Sequence, residues 1–251
     1  MSSTQLSVAE AAQMLGVHPQ RVHQRIREGS LPAEKVGNQW AVDIIDLRRI
    51  MHHAGPGRPL SSKSAWDLLA VAASDEAASE LNPSARSRAR SRLRNLVAHA
   101  ASADVEDAVA GLIHALGNRA ERAVFAASPR DLPDIRDDER IHLSGISLPE
   151  SNISAGAVAE GYVSADDLDA IVENYLLSPA PRSQANVILH VVPSDAQSPV
   201  LADLGAVAHS PLALAVDLAE HDGVRERTQA TRYAADFHSW LVAQSVGAAG
   251  D

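Results

Sequence analysis

The chain has 251 residues, of which 45% are hydrophobic and 22% are charged, a balance typical of globular proteins. It contains no cysteine, which excludes disulfides, thiolate metal sites and a cysteine nucleophile. No apolar run approaches the roughly 18 residues that a membrane span requires, and no signal-peptide pattern opens the sequence. We therefore expect a cytoplasmic protein of one large or two smaller domains, without a membrane partner.

The net charge of −10 is unevenly distributed along the chain. Residues 1–60 carry seven basic and five acidic side chains, a net charge of +2, whereas the remainder carries −12. Such an asymmetry indicates different partners for the two parts. A Gly- and Pro-rich stretch at 54–59 interrupts any helix. We predict an N-terminal domain over 1–53, a linker over 54–63 and a larger domain over 64–251.

The first predicted elements are two short helices. Ser7 and Glu10 have the spacing of a capping box, in which each side chain accepts a hydrogen bond from the other residue's backbone amide. Gly16 suits the left-handed conformation that ends a helix. Pro19 suits the first position of a second helix, over 19–28, because its missing N–H costs nothing there. Two helices joined by a glycine turn predict a helix-turn-helix unit.

The second helix has a polar face opposite the apolar stripe of Val22 and Ile26. Arginine can pair with guanine and glutamine with adenine, and both also bind phosphates. A solvated surface helix is the alternative explanation for such a face. The residues of this helix that we predict to contact DNA are Gln20, Arg21, His23, Gln24 and Arg27.

A β-hairpin is predicted after this helix, because Gly37 and Asn38 lie between two short β-prone runs at 34–36 and 39–42. Asp43 and Asp46 then repeat the spacing of a helix cap and predict a third helix through Ile50.

This order of elements, over Leu6–Ile50, resembles the winged helix-turn-helix of the excisionase and MerR-type DNA-binding families. The resemblance implies that the second helix enters the major groove and that the hairpin, or wing, contacts the backbone or minor groove. It adds Lys35, Asn38 and Gln39 of the wing to the DNA contacts, and it implies that Trp40 packs in the core. The second wing strand lacks the arginines that relatives often have. We therefore expect weak binding by one copy, which favours tandem sites or a dimer, and we predict a homodimer on an inverted repeat.

The rest of the chain predicts an α+β domain. Helices are predicted within 64–118, and later the pattern changes to short apolar runs between Pro, Asp and Ser breaks. The predicted strands lie at 123–127, 141–148, 186–192 and 212–218, and further helices at 165–177 and 224–243.

Several strings in this part resemble the helix-turn-helix antitoxins of bacterial abortive-infection (AbiE-type) systems. They are RPLSSKSAWDLLA (58–70), RAVFAASPRDLPDIRDDERIHLSGIS (122–147), NVILHVV (186–192) and LALAVDLAEHDGVRER (212–227). The resemblance implies an α+β fold, repression of the protein's own operon and neutralisation of a nucleotidyltransferase-like toxin. An excisionase-like recombination factor is the alternative within the DNA-binding class, although such proteins are usually short.

One acidic cluster raises the possibility of an enzyme. Asp217, Glu220, His221 and Asp222 follow an apolar run, and carboxylates with histidine can bind a divalent metal. The Glu-x-Lys of a restriction-type nuclease does not follow, and Asp222 suits the start of a charged helix. A metal-dependent nuclease using Asp217 and Glu220 is thus the alternative from another class. We expect no catalysis, no metal and no cofactor.

Five arginines occupy alternate positions from Arg86 to Arg94. Leu93, Leu96 and Val97 favour a helix there. Three explanations stay open at this point: a second DNA contact, a surface for an acidic or nucleotide-bearing partner, and a solvated face that pairs with nearby carboxylates.

Overall fold

The computed structural model of this α+β protein describes residues 5–28, 31–37, 39–44, 46–47, 59–151, 153, 156–193 and 204–247. In the N-terminal part, the helices are α1 (Val8–Leu15) and α2 (Pro19–Arg27). The strands are β1 (Gln5–Ser7), β2 (Glu34–Val36) and β3 (Gln39–Asp43), which form an antiparallel sheet in the order β1-β3-β2.

The local signals of this N-terminal unit are confirmed. Ser7 and Glu10 form both bonds of the capping box, Gly16 is left-handed with φ 63°, and Pro19 opens α2. The predicted wing is the β2–β3 hairpin. Strand β1 was not predicted. Six buried apolar residues form the core of this unit: Ala11, Ala12, Val22, Leu31, Val42 and Leu47. Of the predicted third helix, residues 48–50 lie outside the described residues, as do residues 54–58 of the predicted linker.

The segment predicted as helical is helical. It contains α3 (Ser62–Ala73), α4 (Asp75–Ser79), α5 (Pro83–Ser102) and α6 (Val105–Leu116). These helices bury an alanine- and leucine-rich core around Trp66, whose side chain is fully buried.

A five-stranded mixed sheet follows, with strands β4 (Glu121–Ala126), β5 (His142–Leu143), β6 (Ala159–Ser164), β7 (Ser178–Pro179) and β8 (Val187–Val192). The strand order is β5-β6-β8-β4-β7. The helices of this part are α7 (Leu132–Asp137), α8 (Ala165–Asn174), α9 (Leu204–Ala208), α10 (Pro211–Ala219) and α11 (Val224–Gly247). The strands predicted at 123–127 and 186–192 are confirmed, as are the helices at 165–177 and 224–243.

Two strand predictions are corrected. The run at 212–218 is helix α10, which begins with the side chain of Ser210 accepting a hydrogen bond from the Ala213 amide. Every residue of this run is buried, so its sequence has no polar periodicity to distinguish helix from strand. The run at 141–148 forms only β5 and then a 3₁₀ turn, because Gly145 adopts φ 55° where the Glu160 carboxylate leaves no room for a side chain.

Candidate nucleic-acid interface

Helix α2 exposes its polar face because its apolar stripe is anchored in the core. Val22 is completely buried and Ile26 packs against the same cluster. The helix begins at His18, whose Nδ1 accepts a hydrogen bond from the Gln20 amide at 3.4 Å. The orientation of α2 is therefore fixed from its buried side, and the opposite side chains project outward.

These side chains line one shallow groove. Its walls are His18, Gln20, Arg21, His23, Gln24, Arg27 and Trp40. All five residues predicted on α2 are thus brought together on one surface, and two further residues, His18 and Trp40, join them. The signal for His18 was its place just before Pro19, where a helix cap is expected.

The wing contributes to the same side of the molecule. Lys35 on β2 is exposed and pairs in register with Trp40 on β3, so the two side chains project from the same face of the hairpin. Gln39 is exposed one residue before Trp40 and points to the other face. Asn38 lies outside the described residues.

The prediction that Trp40 belongs to the core is wrong. It projects from the same face of β3 as Val42, which is fully buried. Trp40 itself lies past the edge of the apolar cluster, is only partly buried and borders the polar groove of α2. An amphipathic indole in this position can pack on the hairpin with one side and contact a ligand with the other.

Hydrogen bonds within α2 hold the groove side chains in a defined arrangement. Arg21 Nη1 donates to Gln24 Oε1 at 2.8 Å, and Gln24 Nε2 donates to Glu28 Oε1 at 2.6 Å. Arg27 Nε donates to the His23 carbonyl at 3.4 Å. The amide of Gln24 therefore connects a cation to a carboxylate, and these exposed bonds can exchange for bonds to bases or phosphates at little net cost.

The acidic residues considered for a nuclease lie at the end of a helix rather than of a strand, and their carboxylates are bound by protein side chains. Asp217 and Glu220 lie at the end of helix α10, and both are buried. Arg119, which is itself completely buried, donates to Asp217 Oδ1 at 2.6 Å and to Glu220 Oε1 at 2.7 Å. Tyr162 donates to Asp217 Oδ1 at 2.6 Å, and Ser144 donates to Oδ2 of the same carboxylate. We call these five residues the Arg119 cluster.

The charges of the Arg119 cluster compensate one another. Burial would lower the pKa of Arg119, but electrostatic interactions with Glu220, Tyr162 and Asp217 raise it well above its usual value. Burial raises the pKa of the Tyr162 hydroxyl, and the nearby Asp217 raises it further, so this hydroxyl stays a donor. The guanidinium thus binds one oxygen of each of the two carboxylates.

A neighbouring buried carboxylate, Glu160, is held by histidines. Its Oε1 lies 3.1 Å from Nε2 of His190 and its Oε2 lies 2.8 Å from Nε2 of His221. The backbone amide of Ile146 also donates to Oε2, at 2.9 Å. Burial would raise the pKa of Glu160, but the charge of His221 and hydrogen bonds from both histidines outweigh it and hold the pKa well below its usual range. His190 lies within the apolar run at 186–192, and no spacing in the sequence pairs it with Glu160.

In the described part of the chain, no group of three or more His, Asp or Glu residues is arranged to hold a metal ion. Nor does any helix among the described residues have the length and hydrophobicity needed to cross a membrane.

Comparison with known proteins identifies the N-terminal unit. Residues 6–52 match the family model described as "Helix-turn-helix domain". The searches of curated proteins and of solved structures returned no match. The matched segment contains α1, α2 and the wing, and helix-turn-helix domains are DNA-binding modules. The N-terminal unit of this protein is therefore a helix-turn-helix domain.

Proposed function

We propose that this protein is a sequence-specific DNA-binding transcriptional repressor that reads its operator through α2. The observation that carries the proposal is the groove of α2, where arginine and glutamine side chains project together from a helix anchored by Val22. The match of residues 6–52 to a helix-turn-helix family supports it.

The chemistry of the groove suits a recognition helix. Arg21 and Arg27 offer planar, bidentate donors for guanine or phosphate, and Gln24 can pair with adenine. Lys35 on the wing is placed to contact the phosphate backbone without reading sequence. In this proposal α2 enters the major groove and the wing lies over the adjacent backbone.

We further propose that two copies bind an inverted repeat and that the protein is the autoregulating antitoxin of an AbiE-type operon. A net charge of +2 over residues 1–60 gives one copy little electrostatic attraction to DNA. Two copies at half-sites about one helical turn apart supply the missing affinity. The strings within 58–227 that resemble such antitoxins motivate the proposal of a toxin partner, a nucleotidyltransferase-like protein. The role is non-catalytic: a nuclease using Asp217 would first have to displace Arg119.

Base reading is tested by selecting sequences bound by the full chain from a random duplex library, then measuring variants on the selected site. Arg21→Ala and Gln24→Ala should each weaken binding by about 1–3 kcal/mol and relax base preference. Arg225→Ala, at an exposed position on α11, is the matched control and should change neither. Full affinity and unchanged selectivity of both groove variants would contradict the assignment.

The finer role is tested on the protein's own promoter. Footprinting should protect two half-sites, and sedimentation of the complex should show two chains per duplex. A reporter under this promoter should be repressed by the protein. Expression of the neighbouring gene product should be harmless to cells only when this protein is expressed with it. Protection of a recombination site beside an integrase gene would instead favour the excisionase alternative.

A further inference from the structure

Helix α5 has an arginine-rich surface that the proposed recognition helix does not use. We call it the arginine face, and it consists of Arg86, Arg88, Arg90, Arg92 and Arg94. The 20 residues of α5 contain no Asp or Glu, although the whole chain has 32 acidic residues against 22 basic ones. The local charge is thus opposite in sign to that of the protein.

The fold displays these arginines outward. The buried side of α5 is formed by Ala85, Ala89, Leu93, Val97 and Ala100. Because the arginines lie on both flanks of that stripe, all but the partly buried Arg86 are exposed. Along one flank, Arg86, Arg90 and Arg94 line a shallow groove with Pro83 and the hydroxyl-bearing Ser87 and Ser91.

Within the described part of the chain, the arginine face has few counter-charges. It makes an ion pair there between Arg90 Nη2 and Asp75 Oδ1, at 3.4 Å, and the Asp75 side chain is fully exposed. Among the described residues, no carboxylate lies within ion-pair distance of Arg86, Arg88, Arg92 or Arg94. Arginines four residues apart on a helix repel one another, so this arrangement favours an external polyanion.

We infer that the arginine face is a second DNA-binding surface, which contacts the phosphate backbone without reading sequence. Eight residues of helix separate Arg86 from Arg94, a rise of about 12 Å, which is close to the ~12 Å width of the major groove. The two ends of the face can therefore reach phosphates on both sides of the groove. Ser87 and Ser91 add hydroxyl donors of the kind that bind phosphate oxygens.

This inference rests on the proposed function in one respect, that the partner is DNA. The arginine face on α5 would provide the electrostatic attraction to DNA that the wing lacks. The base-reading surface and the backbone-binding surface are separate, so each can be removed without the other.

The test uses a random-sequence duplex of about four helical turns, which requires no knowledge of the operator. The variant is Arg86→Gln/Arg90→Gln/Arg94→Gln in the full chain. The matched control is Arg130→Gln/Arg225→Gln/Arg232→Gln, which removes the same charge from exposed positions outside α5. Binding is measured by fluorescence anisotropy between about 50 and 200 mM salt.

We expect the α5 variant to lower the slope of log K against log salt by about 2–3, because each lost phosphate contact contributes about 0.9. Its affinity at the lower salt should fall at least about tenfold, and the control should keep most of both values. Since the buried side of α5 is untouched, both variants should melt like the unaltered protein, and a circular dichroism melt checks this.

Equal slopes for the α5 variant and the control would overturn the inference and would leave an acidic protein as the occupant of the face. Failure of the proposed function has a different signature. In that case Arg21→Ala and Gln24→Ala would leave base preference unchanged, while the α5 variant would still lose its salt dependence.

Discussion

The α2 groove and the Arg119 cluster both contain arginine, but the arginines of the two sites have opposite surroundings. In the groove, Arg21 hydrogen-bonds to the exposed amide of Gln24 and remains open to a ligand. In the cluster, Arg119 has no exposed surface, and Asp217 and Glu220 take up its donors. A guanidinium with all its partners inside the protein holds the fold together, whereas one with only exposed partners is available for binding. The comparison predicts which substitutions change stability and which change DNA binding.

The largest effect is expected from Arg119→Met. This change leaves Asp217 and Glu220 buried without their counter-charge, and breaking a buried ion pair from one side typically costs about 3–5 kcal/mol of the free energy of unfolding. Denaturant titration measures it. Arg130→Met, at an exposed position, is the control and should stay within about 0.5 kcal/mol. Adding Asp217→Asn and Glu220→Gln to Arg119→Met should restore part of the lost stability. An Arg119→Met variant as stable as the unaltered protein would show that the Arg119 cluster does not stabilise the fold.

A partly exposed ion pair gives an intermediate case. The hydrogen bond from Arg140 lowers the pKa of Asp138 from 3.8 to about 2, and Arg140 retains 30% of its side-chain exposure. After a discount for solvent screening, Asp138→Asn should cost about 1–2 kcal/mol of stability at neutral pH.

The pH dependence of this case has a defined sign. Because the folded pKa of Asp138 is lowered, its stabilisation is complete above the unfolded value of 3.8. It is lost as the pH falls through about 2. The free energies of unfolding of the unaltered protein and of Asp138→Asn should therefore become equal in acid. Asp137→Asn, at an exposed neighbouring position, should match the unaltered protein throughout, and a difference between Asp138→Asn and the unaltered protein that persists in acid would contradict this account.

Substitution of Trp40 separates a contribution of this side chain to DNA binding from a contribution to the core. Trp40→Ala should weaken operator binding by about 1.4 kcal/mol, or tenfold, because the groove loses its one aromatic wall. It should cost less stability than the roughly 3–5 kcal/mol typical of a buried tryptophan. Anisotropy and a thermal melt separate the two effects, and Trp40→Phe should retain most of the affinity. A melt that shows the full cost of a buried tryptophan would return Trp40 to the core.

The smallest effect concerns Glu28, the acidic partner of Gln24 at the end of α2. Glu28→Gln removes a negative charge beside the proposed phosphate path and leaves Gln24 freer to turn toward a base. We expect operator affinity to rise by about 0.5–1 kcal/mol, with the gain shrinking at high salt. Glu80→Gln, also exposed and outside the groove, should have no effect. Weaker binding of Glu28→Gln would mean that Glu28 positions Gln24 rather than restrains it.

The sequence by itself determined helices α1 and α2 and the wing of the N-terminal unit, because their signals are local. The Ser7–Glu10 box spans four residues, and Gly16 and Pro19 each fix one backbone conformation. The period of the apolar stripe then decided which side of α2 faces outward. A surface that is assembled on one short helix can be predicted from the spacing of its residues.

Only the tertiary structure decided the rest. Arg119 and Asp217 are 98 residues apart in the chain, and no spacing rule connects them. The uniformly buried run at 212–219 carries no periodicity, so its helical state depends on its N-terminal cap and on the neighbours that cover all its sides. Trp40 became a groove residue because the apolar core ends at Val42. Burial and pairing at long range are properties of the packed fold, and they separate a structural arginine from a binding one.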